Sequence, residues 1–104
     1  MSDEQRVHVH RNHVQIAGLI GIAPLLRYTR GRAISTFTVH TLVDGEAEVH
    51  RCVAFDRLAE RVQPLELGEH VEVTGKLHTY TRTDRLTREA TSVVQIVCEE
   101  VTAL

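Results

Sequence analysis

Ala33-Ile-Ser-Thr-Phe37-Thr-Val39-His-Thr-Leu42-Val43-Asp44-Gly45-Glu46-Ala-Glu48-Val49-His50-Arg51-Cys52-Val53-Ala-Phe55, followed by Asp56-Arg57-Leu58-Ala59-Glu60-Arg61-Val62-Gln-Pro64, is the stretch that decides the fold. From Ala33 to Leu42 the residues alternate. Ala33, Ser35, Phe37, Val39 and Thr41 share one face, and Ile34, Thr36, Thr38, His40 and Leu42 share the other. That period of two is a strand with one side buried. Asp44-Gly45 supplies the positive φ angles of a tight hairpin turn, and Glu48 to Phe55 returns as the third strand. The period then changes: Asp56 is the expected cap, Leu58, Ala59 and Val62 fall at helical spacing, and Pro64 ends a helix of about two turns.

Strand signals continue outward on both sides. The first strand is expected from Val7 to Ile20, with Gly18 and Gly21 marking a bend or bulge in a strand that serves two sheets. Ala23-Pro24 and Arg30-Gly31 bracket what reads as a short polar link over residues 25–29. A fourth strand, His70 to Tyr80, puts Val71, Val73, Gly75 and Leu77 on one face; a turn near Thr83-Asp84-Arg85 leads to a fifth, Ala90 to Val101. Abundant Val and Thr favour strands throughout. Three strands, a short helix and two strands predict an all-β chain: an OB-fold five-stranded Greek-key barrel with one short helix between strands 3 and 4. A plain β-sandwich is the second arrangement the pattern allows. OB-folds bind oligonucleotides or oligosaccharides on a strand face and its loops. Fold alone does not choose between them.

The 104 residues suffice for one domain, read as 1–104 with a flexible N-terminus at 1–6. Hydrophobic residues at 42% and charged residues at 25% are ordinary for a globular chain, and the formal charge of −2 means that a polyanion site must come from charge placement. Apolar runs are far shorter than the ~18 residues of a membrane span, so no membrane partner is expected. MSDEQR has no apolar signal core. With Cys52 and Cys98 outside any CxxC pattern, the expectation is a cytoplasmic protein with reduced, buried thiols. No Gly-x-Ser-x-Gly, HExxH or phosphate-binding loop occurs, and the serines are only Ser2, Ser35 and Ser92. The chain is therefore read as no enzyme, without a cofactor. His8-x-His10-x-x-His13 invites a metal reading, but no Cys or nearby carboxylate completes a tetrahedral shell. That run is read as a polar strand or interface face.

Four ordered segments resemble the bacterial single-stranded DNA-binding protein family. They are Asn12-His-Val14-Gln-Ile-Ala-Gly18-Leu-Ile-Gly21; Pro24-Leu-Leu-Arg27-Tyr28-Thr29-x-Gly31-x-Ala33-Ile-Ser-Thr-Phe37-Thr-Val39; His50-Arg51-Cys-Val53-Ala-Phe55-Asp-Arg57-Leu58-Ala59-Glu60; and Gly68-x-x-Val71-x-Val73-x-Gly75-Lys76-Leu77-x-Thr79. The resemblance covers about residues 7–104 and implies the OB-fold. It also implies sequence-tolerant binding of single-stranded DNA in replication, recombination or repair, in a bacterial cytoplasm and associated with the nucleoid. A homo-oligomer, dimer or tetramer, is implied as well. The edge of the first strand at Val7 and Val9 would add a partner strand, and His50 matches a family position near a subunit contact. The departures are specific. The chain has no tryptophan, and Val49 and Arg82 stand where the family commonly carries one. The hairpin after the second strand is pared to a tight turn, and Leu104 follows directly on the last strand, as in a short, tail-less variant. Primosomal replication protein B, a tail-less relative that scaffolds replication restart with other replication or primosome proteins, is one alternative. An OB interaction module that no longer binds DNA is the other.

Single-strand binding needs cations along a groove and flat side chains for base stacking. Eleven of the twelve basic residues are arginine, which binds phosphate by paired hydrogen bonds and also stacks. The DNA-contacting residues are expected to be Arg27, Tyr28 and Arg32 around the first strand connection and Thr38 on the face opposite Phe37. Arg51, Phe55 and Arg57 follow on the third strand and helix, then Lys76, His78, Tyr80, Arg82 and Arg85 on the last hairpin. Phe37 reads as core. Phe55 takes its stacking role from the matching family position, and Tyr28 either packs on the barrel or touches DNA. Each stacked base contributes roughly 1–3 kcal/mol, so the missing tryptophans imply weak binding.

Overall fold

The computed structural model describes residues 8–104; Val7 and the expected flexible segment 1–6 lie outside the described residues. Five strands form: β1 (Val14–Thr29), β2 (Arg32–Val43), β3 (Glu46–Phe55), β4 (His70–Thr83) and β5 (Ala90–Ala103), with helix α1 (Asp56–Arg61) between β3 and β4. They close into a barrel in the order β1-β2-β3-β5-β4. β3 and β5 run parallel, at Cys52↔Ile96 and Val53↔Val97, and the other neighbours are antiparallel. A closed five-stranded barrel with its helix at this point is an OB-fold.

The alternation read from Ala33 onward sets the inside. Ala33, Ser35, Phe37 and Val39 of β2 are buried with Ile20 of β1, Cys52 and Ala54 of β3, Val71 and Val73 of β4, and Ile96 and Cys98 of β5. Ala59 and Val62 close one end of that core from the helical side. Each such Val or Ile contributes roughly 1.5–3 kcal/mol by leaving water. Cys52 and Cys98 are free thiols side by side on the inner face. The neighbouring Cys98 thiol, then burial, pushes the Cys52 thiol upward, which keeps it protonated.

β1 departs most from expectation. Its first half pairs with β4 (Val14↔Gly75 to Leu19↔His70) and its second half with β2 (Leu19↔His40 to Thr29↔Arg32), with register shifts between Ile20 and Ile22 and between Ile22 and Leu25. The stretch expected as a polar link is therefore strand. Pro24 is buried in the irregular part, where no ladder hydrogen bond is asked of it, and Arg30-Gly31 (φ 53° and 75°) makes a two-residue hairpin turn. Asp44-Gly45 (φ 51° and 81°) makes the second such turn, as its dipeptide predicts.

The early start of the first strand is corrected too. Val9 is 74% exposed and precedes β1, which begins at Val14. Pairing stops because the Asn12 side chain takes the place of a strand backbone: its Nδ2 donates to the Leu77 carbonyl at 2.8 Å, and its Oδ1 accepts from the Leu77 N–H at 2.8 Å. Beyond that point β4 and β5 leave the barrel as a two-stranded ribbon, His78↔Gln95 to Thr83↔Ala90.

Asp84 closes the ribbon tip, its Oδ1 accepting from the backbone N–H of Leu86 (2.8 Å) and of Thr87 (3.0 Å). These bonds, that from Thr87 foremost, hold its carboxyl below the usual carboxylate range. A depressed folded pKa means that the tip's contribution is complete above the unfolded value of ~3.9 and is lost as pH falls through the lower, folded value. Amide exchange at Leu86 and Thr87 is expected to accelerate on acidification below pH ~4, relative to barrel amides. Asp84→Ala should show the faster exchange already at neutral pH.

Candidate nucleic-acid interface

Registers across the sheet assign the outward side chains to rows. Over β1, β2 and β3 these are Arg27·Ile34·Phe55, Leu25·Thr36·Val53 and Ile22·Thr38·Arg51. Over β4 and β5 they are His78·Gln95, Tyr80·Val93 and Arg82·Thr91. The ribbon stands beside the β2–β3 surface, so the two sets of rows face a common groove.

Two cavities make up that groove. One of ≈ 320 Å³ is lined by Ile22, Leu25, Arg27, Thr36, Phe37, Thr38, Arg51, Cys52, Tyr80 and Gln95. The other, ≈ 520 Å³, is lined by Arg51, Arg82, Thr83, Asp84, Arg85, Thr91 and Val93. Arg51 belongs to both and joins them. Among the lining residues the one carboxylate is Asp84, already engaged by backbone N–H groups, so the groove is net cationic on a chain whose overall charge is −2. Acidic Asp44, Glu46 and Glu48 lie at the opposite end of β2 and β3. The chemistry available is an alternation of guanidinium donors with short hydroxyl side chains, one phenol ring and an apolar floor. That suits a flexible polyanion with flat apolar faces.

Of the twelve expected contacts, Arg27, Thr38, Arg51, Tyr80, Arg82 and Arg85 line the groove. His78 lies on its rim: its ring stacks near Tyr80, with centroids 6.5 Å apart at 19°, and its Nδ1 is 3.3 Å from Gln95 Nε2. Arg32 and Phe55 sit at the far end beside Arg27 and touch each other, the guanidinium carbon 4.4 Å above the ring centroid. Three residues are elsewhere. Tyr28 pairs with Ala33 and so points to the side of β1 opposite Arg27, beyond the barrel end and 64% exposed. Arg57 is on α1, outside both cavities. Lys76 lies 3.9 Å from Glu99 at the root of the ribbon.

Asp56 does not cap α1. The cap position is Phe55, with no side-chain cap bond, and Asp56 stands in the first turn at φ 55°. Its carboxylate instead accepts from Arg32 Nε (3.1 and 3.3 Å) and Nη2 (3.1 Å), which raises the Arg32 guanidinium above its ordinary value. Sequence reading missed Leu25, Ile22, Thr36 and Gln95 as groove residues. Thr36 shares the β2 face of Thr38, so alternation carried that signal. Gln95 needed the β4–β5 register. Among the described residues no group of three or more His, Cys, Asp or Glu is placed to hold a metal ion.

A helix-capped, closed five-stranded barrel with a cationic groove bordered by aromatic side chains defines an OB-fold barrel of the oligonucleotide-binding class. Residues 11–104 match the single-strand binding protein family over nearly the whole chain, and the chain belongs to that family. Single-stranded DNA binding, in general terms, comes with this membership, and members act by binding without a catalytic step. No curated protein matches the sequence.

Proposed function

We propose that this chain holds single-stranded DNA in the β2–β3/β4–β5 groove with little sequence preference, keeping strands unpaired during replication, recombination or repair. The observation that carries the reading is Arg51, which links two cavities also lined by Arg27, Tyr80, Arg82 and Arg85 into one path. Convergence of these arginines on one face argues against an interaction module without DNA. The two-residue Asp44-Gly45 turn favours a scaffold resembling primosomal replication protein B as the second reading, since that short hairpin leaves less chain to wrap DNA.

A labelled dT oligomer of about 35 nucleotides, titrated by fluorescence anisotropy at several salt concentrations, tests the reading. The expected result is saturable binding whose log K falls with log salt by about 0.7 per neutralised phosphate. Absence of binding at low salt would sink it.

The bacterial cytoplasm is the proposed setting and a homo-oligomer the proposed state. Exposed Leu19, Leu42 and Val49 on the outer side of β1–β3 support an association surface. His50, half-buried with its Nε2 2.9 Å from Thr41 Oγ1, lies close by at the same end of β3. Val9 and Val7 remain candidate contacts ahead of β1. Light scattering should give a mass of two or four chains.

A further inference from the structure

The Arg32–Phe55–Asp56 assembly is not accounted for by phosphate binding. A phosphate contact needs a guanidinium with free donors and net positive charge. Arg32 has neither in full: Nε and Nη2 both donate to Asp56, and the pair is neutral together. A phosphate approaching Arg32 would also approach the Asp56 carboxylate. The pairing does something else. It fixes the guanidinium plane, which lies over the Phe55 ring at 4.4 Å. One face of the plane is covered by Phe55; with 56% of the Arg32 side chain exposed, the other face is open to solvent.

The local sequence builds this plate. Asp56 follows Phe55 directly, and its left-handed backbone (φ 55°), which Asp tolerates better than most residues, turns the carboxylate across to β2. Arg32 lies two residues before Ile34, whose partners on either side are Arg27 and Phe55. The plate therefore stands next to Arg27, at the end of the groove away from Tyr80, Arg82 and Arg85.

We propose that Arg32, pinned by Asp56 and laid on Phe55, is a base-stacking platform: a nucleobase stacks on its open face, making a base–guanidinium–phenyl sandwich while Arg27 holds the adjoining phosphate. This deepens the single-stranded DNA reading and rests on it. A chain with no tryptophan thereby gains a second flat surface besides Tyr80, and Phe55 acts through the guanidinium above it. Arginine planes accept any base face, so the platform adds affinity without adding sequence preference.

Arg32→Lys is the test, because lysine keeps the ion pair with Asp56 and removes only the plane. Anisotropy is measured on a labelled dT oligomer and on an abasic deoxyribose-phosphate oligomer of equal length. The expected result is about tenfold weaker binding of dT, an unchanged salt slope, and unchanged binding of the abasic strand. Equal loss on both strands, or no loss on dT, overturns the platform and leaves the groove standing. Failure of the unsubstituted protein to bind dT overturns the groove reading and the platform with it. Since Arg32 is exposed, an unchanged thermal midpoint for the variant shows that the barrel is intact.

Discussion

Gly18→Ala is expected to lower the stability of the barrel by about 3 kcal/mol, seen as an earlier urea midpoint at unchanged slope. Gly18 lies where β1 passes from its pairing with β4 to its pairing with β2. A methyl group there would sit 2.1 Å from the His40 carbonyl oxygen and 2.9 Å from its carbon. The obstacle is backbone inside a hydrogen-bonded ladder, so no rotamer change relieves it. Relief requires moving β2 away from β1 beside the fully buried Ile20 and Val39. For a domain whose whole stability is of order 5–15 kcal/mol, that is a large fraction. Gly31→Ala makes a useful contrast. Its added methyl meets nothing within 4 Å, and only the positive φ of 75° opposes it, so a loss of about 1 kcal/mol is expected. Equal losses at the two positions would refute the close-approach argument.

Tyr80→Ala is expected to weaken binding of a dT oligomer by roughly 30-fold, about 2 kcal/mol, with the salt slope unchanged. Arg51→Ala is expected to weaken it by about tenfold and to flatten the slope by about 0.7. The two differ because they do different work in one cavity. Tyr80 supplies a ring face beside Gln95, while Arg51 supplies a charge at the junction of both cavities. Tyr80 is half-buried on an outward row of the ribbon, so its removal does not open the core. Anisotropy at three or more salt concentrations separates the two signatures. A slope change with Tyr80→Ala, or none with Arg51→Ala, would mean that strand and groove meet differently from this account.

Much of the architecture was legible in the chain because period and turn chemistry are local. Alternation from Ala33 to Leu42 assigned Phe37 and Val39 to the core, and Asp44-Gly45 named its own turn. Gly18 and Gly21 announced that β1 would serve two partners, since a strand coiling between two sheets needs positions without side chains where it is crowded, by the His40 backbone at Gly18 and by the His40 ring at Gly21. The start of β1 was not legible. His8 to His13 alternates well enough for a strand, but a strand forms only where a neighbour's backbone is free to pair, and Asn12 occupies that place with its side chain.

The groove was half legible for a related reason. Residue type marked Arg27, Arg51, Arg82 and Arg85 as phosphate-binding material, yet nothing in the order of residues shows that Arg51 on β3 and Arg82 on β4 meet. Their meeting depends on the parallel closure of β3 against β5, a contact between segments some forty residues apart in the chain. Pairing between charges was equally hidden. Lys76 and Arg32 look alike as free cations in the sequence, and each has a carboxylate partner in the fold.

What the sequence by itself determined was the order of five strands and one short helix, the inner face of β2, the Asp44-Gly45 turn and the supply of arginines, because each follows from interactions within a few residues. What only the tertiary structure decided was which of those arginines share a groove, that Tyr28 faces away from it, and that Arg32 is held flat against Phe55. Those depend on strand register and on the partner each charge finds, and both are set by contacts between parts of the chain that sequence proximity does not bring together.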